Sequence, residues 1–254
     1  MSAFNRLLVA TLPLVPRAIV GRVASRYVAG ETLEEALNTV RSLNAQGAMA
    51  TVDLLGEEVS QREKAVAAVE EYVRVYDALS REKLDANVSI KLTMLGLKID
   101  EGFCRDNVER IAAAASAQGN FLRIDMEDHT TTDATLRIYR ELQARYGNLG
   151  VVFQAYMRRT LADIEALPRE KASVRLCKGI YVEPREVAWK GYETVRANYV
   201  RALEKLITQG VYPAIATHDE YLACQAVALV EKHGLSRDRY EFQMLLGVDE
   251  PLRR

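Results

Sequence analysis

Polar residues recur at the C-terminal ends of otherwise apolar runs: Asp53, Lys91, Asp125 with Glu127, Gln154, Arg175 with Lys178, Thr217 with His218, and Gln243. Burying one such group without a partner costs roughly 2–7 kcal/mol, so a placement repeated along the chain points to one shared site. The residue types allow several chemistries. Lys91 or Lys178, if desolvated, can form a Schiff base, as in lysine-dependent aldolases. Asp53 and Lys91 read equally well as a buried ion pair. Asp125 and Glu127 are two apart and would face one side of a strand, and with His129 and His218 they raise the question of a metal. No second His or carboxylate recurs at ligand spacing, so no metal is expected. Cys177 beside Lys178 reads as a small core residue. No GxSxG, HExxH, GxGxxG or GxxxxGK[ST] motif occurs.

These side chains need elements that bring them together. The runs 48–55, 88–93, 121–127, 151–157, 174–179, 211–218 and 240–247 read as seven strands. Between them apolar residues recur every three or four positions, as in Val66, Val69, Val73 and Tyr76, in Leu136, Tyr139 and Leu142, and in Val195, Tyr199, Ala202 and Leu206. Thr32 and Glu35 predict a capping box before the first strand, and Gly47, Gly119, Gly147, Gly210 and Gly234 mark helix exits. Strict alternation argues for a parallel sheet in one domain. A doubly wound sheet would want a glycine-rich phosphate loop after its first strand, and LLGEE (54–58) is not one. The preferred architecture is therefore α/β, a (βα)8 TIM-type barrel, whose sites lie at the strand C-termini. It is incomplete with seven strands. Residues 1–46 form an N-terminal helical arm and 47–254 the barrel.

Composition narrows the function. Of 254 residues, 49% are hydrophobic and 27% charged, which supports a sizeable core and excludes disorder. Thirty-four basic residues balance thirty-five acidic ones, so a nucleic-acid partner bound by phosphate neutralisation is not expected. Three scattered cysteines make no disulfide framework, and a reducing, cytoplasmic compartment is the default. The apolar stretch Leu7 to Pro16 is too short to span a bilayer and carries two prolines. It reads as part of an arm packed on the barrel, with peripheral contact at the inner membrane as the sharper alternative.

An ordered set of motifs resembles the flavin-dependent proline dehydrogenases of the monofunctional bacterial type: YVAGETL (27–33), VDLLGE (52–57), SIKLT (89–93), RIDMED (123–128), QAY (154–156), RLCKGIY (175–181), ATHD (216–219) and EFQML (241–245). The resemblance implies a barrel that holds FAD and oxidises L-proline to 1-pyrroline-5-carboxylate, electrons passing to a quinone. It implies Asp125 and Arg175 as the catalytic pair, with Lys91 on the substrate carboxylate and Leu245 against the proline ring. Met126, Gln154, Lys178, Gly179, Ile180, Thr217 and His218 would contact the flavin. Ile180 departs from the family's usual Ala. The family also continues with an eighth strand and a helix bearing an Arg pair that clamps the carboxylate, and Arg253 and Arg254 lack that context. The expectation is a truncated chain with weak proline affinity. A Schiff-base aldolase and a catalytically silent barrel are the competing readings.

Overall fold

The computed structural model describes residues 27–168 and 171–253. The first part of the expected arm, with Leu7 to Pro16, lies outside the described residues. Helix α1 (Leu33–Ala45) opens on the predicted capping box: Glu35 N–H donates to Thr32 Oγ1 (3.3 Å) and Thr32 N–H to Glu35 Oε2 (3.2 Å). Two helix-end donors are thereby satisfied. Leu37 and Val40 turn the helix onto the core.

Seven strands follow, one within or overlapping each predicted run: β1 (Ala50–Asp53), β2 (Ala86–Ile90), β3 (Leu122–Ile124), β4 (Leu149–Gln154), β5 (Ser173–Cys177), β6 (Tyr212–Ala216) and β7 (Glu241–Gln243). All pairings are parallel, and the sheet order is the chain order from β1 to β7. A doubly wound sheet reverses its order at a switch point, whereas a barrel does not. Consecutive order therefore decides for the barrel, with β1 and β7 as its two edges among the described residues. The intervening helices are α2 (Arg62–Glu82), α3 (Glu101–Ala117), α4 (Thr132–Tyr146), α5 (Thr160–Glu165), α6 (Tyr192–Thr208) and α7 (Glu220–Lys232), with a short α8 (Glu250–Arg253) after β7.

The predicted helix exits at Gly47, Gly119, Gly147, Gly210 and Gly234 all have left-handed backbone. Lys83 ends α2 in the same conformation (φ 53°) without being glycine, an exit that no sequence signal marks. Two expectations are corrected. Helix α2 buries Ala65, Val69, Tyr72, Tyr76 and Leu79, leaving Val66 exposed and Val73 half-buried. The small alanines set its inward face, which a scan for bulky residues misplaces. The ladder also stops short of the predicted strand ends, at Ile124 rather than Glu127 in β3. The two-residue period therefore does not carry Asp125 and Glu127 to one face.

The sheet interior is not purely apolar. Arg123 in β3 is only 2% exposed; it donates to Ser173 O (3.0 Å), Ser173 Oγ (3.1 Å) and Val151 O (3.4 Å) and lies over the Phe121 ring. Gly150 on β4 makes this possible, because a Cβ there would stand 2.4 Å from the guanidinium and 2.8 Å from Ser173 O. Burial and the positive Arg175 together press Arg123 down to about 9, leaving it charged at neutral pH.

Candidate active site

The strand ends place the chemistry. Asp53 closes β1, Lys91 follows β2 directly, Asp125 follows β3 directly, Arg175 lies within β5 and Gln243 closes β7. Their side chains form one network. Lys91 Nζ is bonded to Asp53 Oδ2 and lies 3.9 Å from Asp125 Oδ2. Arg175 Nη1 donates to Asp125 Oδ1 (2.7 Å), which also accepts from Ser89 Oγ (3.2 Å). Arg175 Nε donates to Gln243 Oε1 (2.5 Å), and Gln243 Nε2 to Glu241 Oε1 (2.5 Å). Burial works to lower the Lys91 ammonium, but Asp53, by charge and hydrogen bond, and Asp125 together raise it above its ordinary value. Lys91 is therefore a fixed cation. A Schiff-base nucleophile must be a neutral amine, so this geometry opposes Lys91 as the lysine of an aldolase. Tyr72 is buried near this network, its hydroxyl 3.9 Å from Met94 Sδ, and burial, with the charges of Asp53 and Asp125 adding to it, holds its phenol well above the usual range.

A second group of residues comes from the loops past β3, β5, β6 and β7. Gln154, 3% exposed at the end of β4, donates from Nε2 to Glu127 O (2.9 Å). The Glu127 carboxylate turns away to Thr93, accepting from its backbone N (3.0 Å) and its hydroxyl. Burial raises the Glu127 carboxyl despite those two bonds. Asp125 and Glu127 thus serve different networks. Lys178 Nζ donates to Asp219 Oδ2 (3.1 Å), a carboxylate that Arg196 also grips with two bonds (2.9 and 2.7 Å) and Tyr192 with its hydroxyl (2.9 Å). Those donors hold Asp219 well below the usual carboxylate range, Arg196 contributing most, even against burial. Thr217 Oγ1 accepts from Asp219 N (3.1 Å), which ties the turn after β6 together. Gly179 has φ +108°, and a Cβ there would sit 2.2 Å from the Tyr156 ring. Only glycine fits that turn.

His218 Nε2 accepts from Leu245 N (3.0 Å), so the ring proton belongs on Nδ1, which is buried without a partner. A buried donor without an acceptor is costly unless something else meets it. Lys178 lies close enough to act on this ring, and the apolar Leu245, 71% exposed, borders it, with Ile180, 87% exposed, on the loop that carries Lys178. Donors within an apolar rim suit a planar heterocycle with acceptor atoms along one edge, and the residues present fit a flavin on that ground. The Met126 side chain packs in the hydrophobic core. Cys177 ends β5 with its Sγ 3.6 Å from Phe153 O, and burial pushes its thiol up to about 11, which suits a packing role.

Sequence reasoning missed Glu241, Ser89, Asp219 and Arg196. Glu241 and Ser89 lie inside strands, where a polar residue pointing into a barrel looks the same in sequence as one pointing to solvent. Asp219 next to His218 carried a signal, since it directly precedes a helix and reads first as a cap. Among the described residues no helix is long and apolar enough to cross a membrane.

Residues 36–254 match the family model described as "Proline dehydrogenase". Proline dehydrogenase 2 of Bacillus subtilis (strain 168) is 36% identical over 225 residues, covering 89% of this chain and 74% of the relative. Proline dehydrogenase of Deinococcus radiodurans is 35% identical over 237 residues, covering 91% and 76%. Among solved structures, proline utilization A (PutA) from Bdellovibrio bacteriovorus, inactivated by N-propargylglycine, superposes with a TM-score of 0.85 at 24% identity. That match covers 92% of this chain and 29% of PutA, and it confirms the barrel-type fold. From the motifs, the sheet order and these relatives together, the chain belongs to the proline dehydrogenase family.

Proposed function

We propose that the chain oxidises L-proline to 1-pyrroline-5-carboxylate in proline catabolism, using FAD held at the strand C-termini and passing electrons on to a quinone. The observation that carries this reading is the convergence of Lys91, Asp125 and Arg175 into one hydrogen-bonded network at that end of the sheet. Bound there, FAD supplies the electron sink that accepts hydride from the carbon next to the substrate nitrogen.

The chain's own residues do the rest. Lys91, kept charged by Asp53, offers its remaining protons to the proline carboxylate. Leu245 walls the ring, and its exposed side chain is free to do so. Arg175 is permanently charged and has two donors committed to Asp125 and Gln243, leaving its other N–H groups for negative charge that builds on the flavin side. Asp125 orients that guanidinium and balances its charge. Gln154, Lys178, Gly179, Ile180, Thr217 and His218 line the flavin, with Met126 contributing backbone. The enzyme works in the cytoplasm or at the inner face of the membrane that carries the quinone.

The test is spectroscopic. Purified protein reconstituted with FAD should show a bound-flavin spectrum that proline bleaches without oxygen. No flavin uptake, or a bound flavin indifferent to proline, overturns the reading.

A further inference from the structure

Glu183 is a buried acid for which the reaction above has no task. It is 4% exposed and sits in the connection from β5 to α6, residues 178–191. Connections of that length without regular structure are uncommon and usually functional. The far half of this one is well anchored. Ala188 bridges Met157, Arg158 N donates to Val187 O (2.9 Å), Trp189 N donates to Tyr156 O (2.7 Å), and the Arg158 guanidinium stacks 3.6 Å over the Trp189 ring. In the near half Ile180 and Val182 are almost wholly exposed. Immediately after them Glu183 turns inward.

Both Glu183 oxygens go to one residue of another loop. Oε1 accepts from His129 N (2.8 Å) and Oε2 meets His129 Nδ1 at 2.5 Å. Lys190 Nζ caps the Glu183 carbonyl, closing the connection on itself. His129 lies in the β3–α4 loop, three residues past Met126 and two past Glu127, whose carbonyl holds Gln154. A buried carboxylate is costly, and an apolar plug would pin a loop without that cost. Two directional bonds to one residue fix what a plug cannot, the relative position of two loops.

We propose that Glu183 is a positioning residue. It clasps the β5–α6 connection to the β3–α4 loop through His129 and so sets the spacing between Lys178–Ile180 and Met126–Gln154 across the flavin site; this rests on the flavin reading above. The conformation it sets has little slack, because Gly179 already lies where a single added carbon would strike Tyr156.

The test reads flavin affinity by titration, together with amide exchange at His129 and residues 180–182 in the flavin-free protein. Glu183→Ala should speed that exchange and weaken FAD binding about 10- to 100-fold, the range for a lost hydrogen bond to a charged group. Glu183→Gln keeps an oxygen for His129 N–H and an NH2 for a neutral Nδ1, and should stay within about threefold of the parent. If Glu183→Ala does not fold, His129→Ala removes the ring contact from a half-exposed residue and should still weaken FAD several-fold. Parent-like affinity in the folded variants overturns the proposal. So does a Glu183→Gln protein as weak as Glu183→Ala, since charge and not the pair of bonds would then matter. An unmutated chain that takes up no flavin instead overturns the proposed function, so the two failures are told apart by which protein fails.

Discussion

Asp53, Lys91, Asp125, Arg175 and Gln243 lie on strands or one residue beyond them, whereas Gly179, Ile180, His218 and Leu245 lie on the loops past β5, β6 and β7. The first group is ordered by the ladder: neighbouring strands fix the distance between neighbouring side chains, and opposite charges complete the arrangement. Every carboxylate and cation in it has a partner of opposite charge or an amide. The second group has no ladder. Its positions depend on clasps made by residues outside the expected site, with Asp219 gathering Lys178, Arg196 and Tyr192 while Glu183 holds His129. The strand-borne groups neutralise one another, and the loop-borne ones are held at second hand. A substitution in the first region should therefore damage the reaction, and one in the second should damage cofactor retention.

The largest effect is expected at Arg175. Arg175→Ala removes both the charge that Asp125 pairs with and the anchor that Gln243 accepts from. Loss of a preorganised charge-stabilising donor lowers kcat about 100- to 1000-fold. Steady-state kinetics at saturating FAD checks it. Gln243→Leu, which leaves the charge and removes one anchor, should lose about tenfold. Equal losses in the two variants would mean that the guanidinium works by position alone, and the contrast between charge and anchor would be lost.

Next comes Asp219. Asp219→Ala leaves Lys178 and Arg196 without their shared carboxylate, and the Lys178 head group loses its direction. The expected result is about tenfold weaker FAD binding with kcat at saturating FAD much less affected. A titration and a kcat measurement on the same preparation separate the two. A kcat loss as deep as that of Arg175→Ala would erase the distinction between the regions.

The same contrast explains what was legible in the sequence. The alternation of strand and helix is a period that can be counted, so seven strands and a parallel sheet are legible in the sequence, and with them the end of the sheet where a site is expected. Asp53, Lys91, Asp125 and Arg175 could be read because an ionisable group in or just past an apolar run stands out. Glu183 could not, since an acid in a polar loop looks like solvated surface until the fold buries it, and Asp219 reads first as a helix cap. Arg123 was missed for a related reason. It needs Gly150 on the next strand to leave room and Ser173 on the strand beyond to accept its protons, and nothing in a linear reading connects those three positions.

The smallest effect probes His218, which accepts from Leu245 N–H and so ties the loop past β6 to the residue proposed to wall the substrate. Burial, with the positive Lys178 acting in the same direction and Asp249 opposing, lowers this imidazole from its ordinary 6.5. The native state thus resists a proton that the unfolded chain accepts more readily. The stabilisation is complete above about pH 6.5 and is lost as pH falls through the lowered native value. Protonation also removes the acceptor that Nε2 gives to Leu245 N–H, so the Leu245 segment should loosen as the acid limb is entered. Urea midpoints between about pH 5 and 7.5 should fall more steeply on acidification for the parent than for His218→Gln, by a few tenths of a molar. The KM for proline should rise over the same window in the parent only. Parallel pH profiles would detach Leu245 from His218 and leave the wall of the substrate pocket fixed by the β7 ladder, as the strand-borne groups are.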